Sequence, residues 1–317
     1  MLNRREFLAA SLSMSAVAYA LPGDRFRWAC TSGMFRELTP QPEATLKNVA
    51  KYGFHGLEAY PELADGLGSV NKFNAALNAH GLAIATFWGG GVYWDPKNAA
   101  NVRKTVAENI RLARDYVAPC GGKYLKVNLT ERGPAKPNWM TPDQIRILAQ
   151  TLNEIGRGTM DAGVKFAFHP HTWTLVESSQ EVKQIMDLTD PKLVYLIADT
   201  AHLSLGGNDP VKFLREYYPR IAGIHFKDVK PQYSPAKSGW KGPAPSREQH
   251  EKENLYKDFG AGGVDFVGFV QVLREKGYDS WISLDFDPLR PDEGDFDKTM
   301  TFRRKYLVET LKATLKS

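Results

Sequence analysis

Cysteine is scarce in this chain: Cys30 and Cys120 are the only two among 317 residues. They fall near different predicted strands, and a disulfide needs Cα atoms within about 7 Å. Two unbridged thiols are therefore expected, and neither sits beside a base that would make it a nucleophile. After residue 20 no apolar stretch reaches the roughly 20 residues a membrane span needs. Charge of one sign is also lacking. Forty-one basic residues face 36 acidic ones for a net charge of +5, with no long basic run, which argues against a nucleic-acid partner. The turn after the first predicted strand, Thr31 to Met34, lacks the glycine-rich dinucleotide fingerprint, and no phosphate-cradling glycine loop is evident.

What is present begins with an address. Arg4 and Arg5 precede an apolar stretch from Phe7 to Ala20 that closes on an Ala-x-Ala site at Ala18 and Ala20. A twin arginine, a short apolar region and small residues at a cleavage site make a twin-arginine-type signal. Residues 1–20 are set aside on that ground. The mature protein is expected from about Leu21, soluble and periplasmic or extracellular.

From there, short apolar runs alternate with segments of helical period, the signature of βαβ units and a parallel sheet. Strands are expected at 26–30, 56–59, 83–87, 124–128, 165–169, 194–199, 221–226 and 281–286. Helices are expected at 42–52, at 70–80 before Gly81, at about 96–117, after Thr141 with Pro142 first, after Ser178 or Ser179, from Pro210, at 265–276 and at about 297–315. Eight such units predict one α/β domain, a (β/α)8 TIM barrel over 21–317. A polar insertion at about 230–262 follows strand seven and should form a lid or rim on the mouth.

Ligand-type side chains recur at the strand ends. His169 and His171 close strand five, Asp199 closes strand six with His202 a turn later, His225 and Lys227 close strand seven, and Asp285 and Asp287 close strand eight. Glu58 ends strand two, Trp88 strand three, and Lys126 and Asn128 strand four. A barrel brings these ends to one mouth, and a divalent ion accepts two imidazoles and two carboxylates. The expected metal set is His169, Asp199, His225 and Asp285. His171 or Glu58 is the expected base, with Lys227 also catalytic. Trp88, Lys126, Asn128, His202 and Asp287 are expected on the substrate, with Phe35 and the Trp240 region as apolar walls.

The segments Asp199 to His202 (Asp-Thr-Ala-His), Gly207 to Pro210, Arg220 to Val229, Gly263 to Phe266 and Gly277 to Asp285 resemble the xylose isomerase-like barrel superfamily of sugar isomerases and epimerases. His169 to Thr172 and Thr174 to Glu177 resemble its inosose dehydratase branch. The resemblance implies a manganese, cobalt, magnesium or zinc ion held through Glu, Asp, His and Glu. His169 stands where many epimerases have the first Glu, and Asp285 where the last would be. That departure shifts weight from a two-glutamate epimerisation towards isomerisation or dehydration with a histidine base.

The expected function is a metal-dependent sugar or cyclitol isomerase or epimerase acting through a metal-stabilised enediolate. The alternative on the same site is a dehydratase or lyase on a keto-inositol or 3-keto-glycoside. Other classes are a repair nuclease on this barrel and a non-catalytic sugar-binding barrel. The expected partner is a small carbohydrate or cyclitol, with no membrane contact after signal removal and homo-oligomerisation left open.

Overall fold

The computed structural model describes residues 24–36, 41–132, 140–286 and 295–316. The signal segment and Asp287 lie outside the described residues. Eight strands form the expected parallel sheet: β1 (Arg27–Thr31), β2 (Gly56–Ala59), β3 (Ala83–Phe87), β4 (Tyr124–Asn128), β5 (Lys165–His169), β6 (Val194–Asp199), β7 (Ile221–Phe226) and β8 (Trp281–Leu284). Their order is β3-β2-β1-β8-β7-β6-β5-β4, which curls round until β3 and β4 meet. There the barrel closes through two isolated parallel bridges, Trp88 to Lys126 and Val92 to Leu129. The Gly89 N–H donates to the Lys126 carbonyl at 2.7 Å, and the Thr86 hydroxyl donates to the Tyr124 carbonyl at 2.6 Å. Only glycine fits at 89, because a Cβ there would lie 2.4 Å from the Val127 side chain.

The barrel floor is a small cluster of Ala29, Ala85, Ala167, Ile197 and Ala222 around two large rings, Tyr124 and Trp281. Small residues on most strands leave room for two big ones; a Cβ on Gly223 would sit 2.5 Å from the Tyr124 hydroxyl. Truncating Trp281 would cost on the order of 3–5 kcal/mol by the cavity it leaves. The larger apolar core lies between the strands and the outer helices.

The helices begin where their caps predict. Thr141 and Ser178 each form a capping box, with Gln144 and Glu181 respectively. A helix absent from the sequence reading, Pro61–Gly66, follows β2. β8 ends at Leu284, two residues short of the expected boundary. The insertion is more ordered than a loop. It holds helices Pro235–Ser238 and Arg247–Glu253, and Tyr256–Lys257 pairs antiparallel with Asp228–Val229. The Asp228 carboxylate accepts from the backbone N–H groups of Val229, Gly260, Gly262 and Val264 at 2.9–3.2 Å, tying the insertion's end to the end of β7.

Strand register sets the levels of the mouth. Asn128 is level with His169, Asp199 with His225, and Thr31 with Glu58.

Candidate metal centre and active site

The four expected metal residues fall in two overlapping triads that share Asp199: His169, Asp199 and His202, and Asp199, His225 and Asp285. Asp199 Oδ2 lies 3.4 Å from His169 Nε2 and 3.6 Å from His225 Nδ1, and Asp285 Oδ2 lies 3.2 Å from His225 Nδ1. Donors bonded to one tetrahedral ion at about 2.0–2.1 Å stand roughly 3.3–3.4 Å apart. Each of these three pairs is spaced for a small divalent ion, and His202 stands beside His169 and Asp199 as a further candidate donor. His169 Nε2 and Asp199 Oδ2 are buried atoms with no hydrogen-bond partner, as expected of groups whose partner is an ion.

Each ligand is aimed by a neighbour. Asp199 uses its carboxylate twice: Oδ1 accepts from the N–H groups of Ala201 and His202, both at 2.8 Å, capping the helix Thr200–Leu205, and Oδ2 is left to the imidazoles. His169 Nδ1 faces the Asn128 side-chain oxygen at 3.1 Å, which fixes a proton on Nδ1 and leaves Nε2 as the lone pair. His225 Nε2 faces Glu58 Oε2 at 2.8 Å. With its proton held there, His225 presents Nδ1 to Asp199 and Asp285.

Glu58, Lys126 and Asn128 therefore sit behind the ligands and do not line the mouth cavity. Glu58 Oε1 lies 3.3 Å from Lys126 Nζ, and both side chains are fully buried. Lys126 lies under the Trp88 ring, and burial lowers its pKa against the pull of Glu58.

The cluster carries three buried or nearly buried carboxylates, Glu58, Asp199 and Asp285. Burial opposes charge on Asp199, Asp285 and His225, yet attraction decides their states. Contact with Glu58, Asp199 and Asp285 holds His225 well above the ordinary imidazole range. His202 with His169, and Lys227 with His225, hold Asp199 and Asp285 well below the ordinary carboxylate range. A divalent ion entering would take the place of the His225 proton.

Above the donor set lies a cavity of about 300 Å³. Its lower wall, next to the donor set, includes Thr31, His171, His202, Lys227 and Asp285, and Trp88 lines it beside Tyr60. The His171 Nδ1–H donates to the Thr172 carbonyl at 2.8 Å, which leaves Nε2 as the basic atom, and burial pushes its pKa down to about 4. His202 lies against it, ring centres 3.5 Å apart and planes tilted by 32°, and its Nδ1 is 3.0 Å from the Thr172 hydroxyl. Burial and the nearby His171 keep His202 well below the usual imidazole pKa. Lys227 places its ammonium 3.9 Å over the Tyr256 ring. Thr172, which orders both histidines, was not singled out in the sequence.

Two expected walls lie elsewhere. Phe35 packs between Tyr52 and Phe296 in the outer core. Trp240 donates its indole N–H to the Leu205 carbonyl and lines a separate groove beside the helix Pro210–Tyr217.

Comparison with known proteins agrees with this architecture. The family model described as xylose isomerase-like TIM barrel matches residues 46–306. The inosose dehydratase of Clostridium botulinum (strain Alaska E43 / Type E3) is 28% identical over 265 residues, covering 77% of this chain and 81% of that protein. Among solved structures, the apo 3-keto-D-glucoside 4-epimerase YcjR of E. coli superposes with a TM-score of 0.66 at 16% identity, covering 91% of this chain and all of that one. The IolI protein with a bound zinc atom gives 0.66 at 15% identity, covering 90% and 98%. The match of one family model from before β2 through β8 places this chain in the xylose isomerase-like TIM barrel family.

Proposed function

We propose that this protein is a divalent-metal-dependent enzyme that removes a proton next to the carbonyl of a keto-sugar or keto-cyclitol, with loss of water as the favoured outcome. The observation that carries the reading is the His171–His202 pair in close ring contact on one wall of the cavity. The β1–β2 side supplies Thr31, Gly33 and Tyr60, with no carboxylate or imidazole among the described lining residues. A two-face epimerisation needs a base on each side. Elimination needs proton traffic on one.

An ion held by His169, Asp199, His225 and Asp285 would polarise the substrate carbonyl and acidify the adjacent C–H. His171 Nε2 takes that proton as general base. The β C–O bond then breaks, the departing hydroxyl is protonated to water, and a C=C bond forms beside the carbonyl. Two imidazoles with ring centres 3.5 Å apart do not both hold a charge, so the proton His171 gains is readily passed on to the leaving oxygen. The Lys227 ammonium steadies negative charge developing on the substrate oxygen. The names of the curated relatives support dehydration, and the zinc in the IolI structure supports a divalent ion. Same-face isomerisation would use the same pair. We carry the twin-arginine export reading into this proposal, tested by fractionating cells that express wild-type and Arg4→Lys/Arg5→Lys chains.

The test is to load the purified protein with zinc, manganese, cobalt or magnesium and incubate it with a keto-inositol or a 3-keto-glucoside in D2O. NMR should show solvent deuterium next to the carbonyl together with loss of water. His171→Gln should slow both by about 10²–10⁴ at unchanged metal content. An epimer formed without water loss would replace dehydration by epimerisation. No exchange with any ion or substrate would end the proposal.

A further inference from the structure

The insertion does more than cover the mouth. Its helix Arg247–Glu253 puts Arg247 and His250 three residues apart, on one helical face, and both line the cavity. Arg247 lies over the Trp173 ring, 4.7 Å from guanidinium carbon to ring centre, and the His250 ring centre is 5.6 Å from that of Trp173. Trp173 is held in a left-handed backbone conformation, φ 66°, which a bulky residue adopts only when its surroundings enforce it. The enforcing group is Glu177. Its Oε2 accepts from the Trp173 N–H at 2.7 Å, and its Oε1 accepts from the Ala244 N–H of the insertion at 3.0 Å. The Trp173 indole N–H in turn donates to the Pro245 carbonyl at 2.8 Å. One buried carboxylate thus fixes both a strained tryptophan and the segment that delivers Arg247.

None of this machinery is needed at the donor set, and backbone strain of this kind points to function. On the β2–β3 side of the same cavity stand Tyr60 and Trp88, stacked 5.0 Å apart. We infer that the rim is a second subsite, between the Arg247–His250 face and the Tyr60–Trp88 stack, for a neutral sugar ring attached to the ring that binds below.

Charge selects the ligand class. Arg247 is paired with the Glu131 carboxylate, so an anionic substituent would meet a neutralised guanidinium and a like charge. A hydroxylated ring meets donors from Arg247, the Tyr60 hydroxyl and flat aromatic surface for its C–H face. The substrate class is therefore a glycoside of the keto-ring in place of the free ring. This rests on the carbohydrate chemistry proposed above for the lower wall, yet the rim can be read without turnover.

The probes are unreactive sugars: glucose against the glucosyl disaccharides cellobiose, maltose and trehalose. Binding to the metal-loaded protein is followed by tryptophan fluorescence and calorimetry. At least one disaccharide should bind about tenfold or more tighter than glucose. Arg247→Ala, half-exposed and checked for an unchanged melting temperature, should bring that disaccharide down to the affinity of glucose while leaving glucose within about twofold. Equal affinity of glucose and every disaccharide, or no binding of any, overturns the subsite. So does an equal loss for both sugar sizes in Arg247→Ala. Proton exchange without a disaccharide preference would sink the rim alone, and a disaccharide preference without exchange would sink the chemistry alone.

Discussion

Glu58 Oε2 lies 2.8 Å from His225 Nε2, on the side of the imidazole away from Asp199 and Asp285. Two residues 167 positions apart thereby set which nitrogen of His225, a candidate metal ligand, is free. Partners of this kind typically contribute 10–100-fold to metal affinity. Glu58→Gln should therefore weaken zinc binding by about that factor, measured by competition with a chromophoric chelator. The Gln amide can turn its N–H₂ towards His225 and pull the proton onto Nδ1. If Glu58→Gln binds zinc as tightly as wild type, the carboxylate does not position His225.

Asp199 is the hinge of the donor set, since its Oδ2 faces both His169 and His225. Asp199→Asn keeps the Oδ1 acceptor for the Ala201 and His202 N–H groups and removes one anionic donor. Metal content after desalting should fall to background while the fold persists. Adding zinc at about 100 times its Kd should stabilise the wild-type protein by about 2.7 kcal/mol, and the variant by far less. A variant that retains one ion per chain would remove Asp199 from the donor set.

Parts of this arrangement were legible in the sequence and parts were not. Asp199 and His225 could be read because a closed parallel barrel brings strand ends together whatever lies between them. Lys126 and Asn128 also end a strand, and nothing in their spacing tells that β4 sits where its end side chains reach behind the ligands. The Glu58–His225 contact and the placement of Phe35 depend on register and on helix packing, which local pattern does not encode. Trp173 gives no local sign of its left-handed backbone, because Glu177 and the insertion impose it from outside. The insertion's helix did carry a signal: Ser246, three residues before Gln249, is the start of a capping pattern, and Ser246 does accept from the Gln249 N–H at 3.1 Å.

Glu177 is a structural clamp. It is buried against the Arg132 guanidinium at 3.1 Å as well as holding Trp173 and Ala244. Arg132 also pairs with Glu181 at 2.6 Å, so it would not be stranded without Glu177. Breaking a buried pair costs about 3–5 kcal/mol when the remaining charge is uncompensated, and Glu181 should hold the cost of Glu177→Gln below that. The larger effect should be local. Hydrogen exchange at 240–257 should quicken in Glu177→Gln while exchange in the barrel strands stays near wild type. Uniform acceleration across the chain would mean that Glu177 supports the barrel and not the rim.

Acid should weaken the metal-free protein earlier than its carboxylates alone would. Burial pushes His171 down to about 4 and holds His169 and His202 well below the ordinary imidazole range. Between about pH 4 and 6.5 the unfolded chain therefore binds more protons at these three sites than the folded one, and stability falls as pH falls through that window. His171 alone accounts for up to about 3 kcal/mol. His225, held well above the imidazole range, is protonated in both states below pH 6.5, so its contribution is constant there and is lost only at higher pH. Asp228 runs the other way. Burial pushes its carboxyl up to about 6, so the folded state holds the extra proton between about pH 4 and 6. That offset is close in size to the His171 contribution, which leaves His169 and His202 to set the net direction. Urea unfolding of chelated protein at pH 7, 5.5 and 4.5 should give a stepwise loss of stability. His171→Gln, which has no proton to gain, should show a shallower slope. Stability that is flat or rising towards pH 4.5 would mean that the three imidazoles are not buried neutral in the metal-free site.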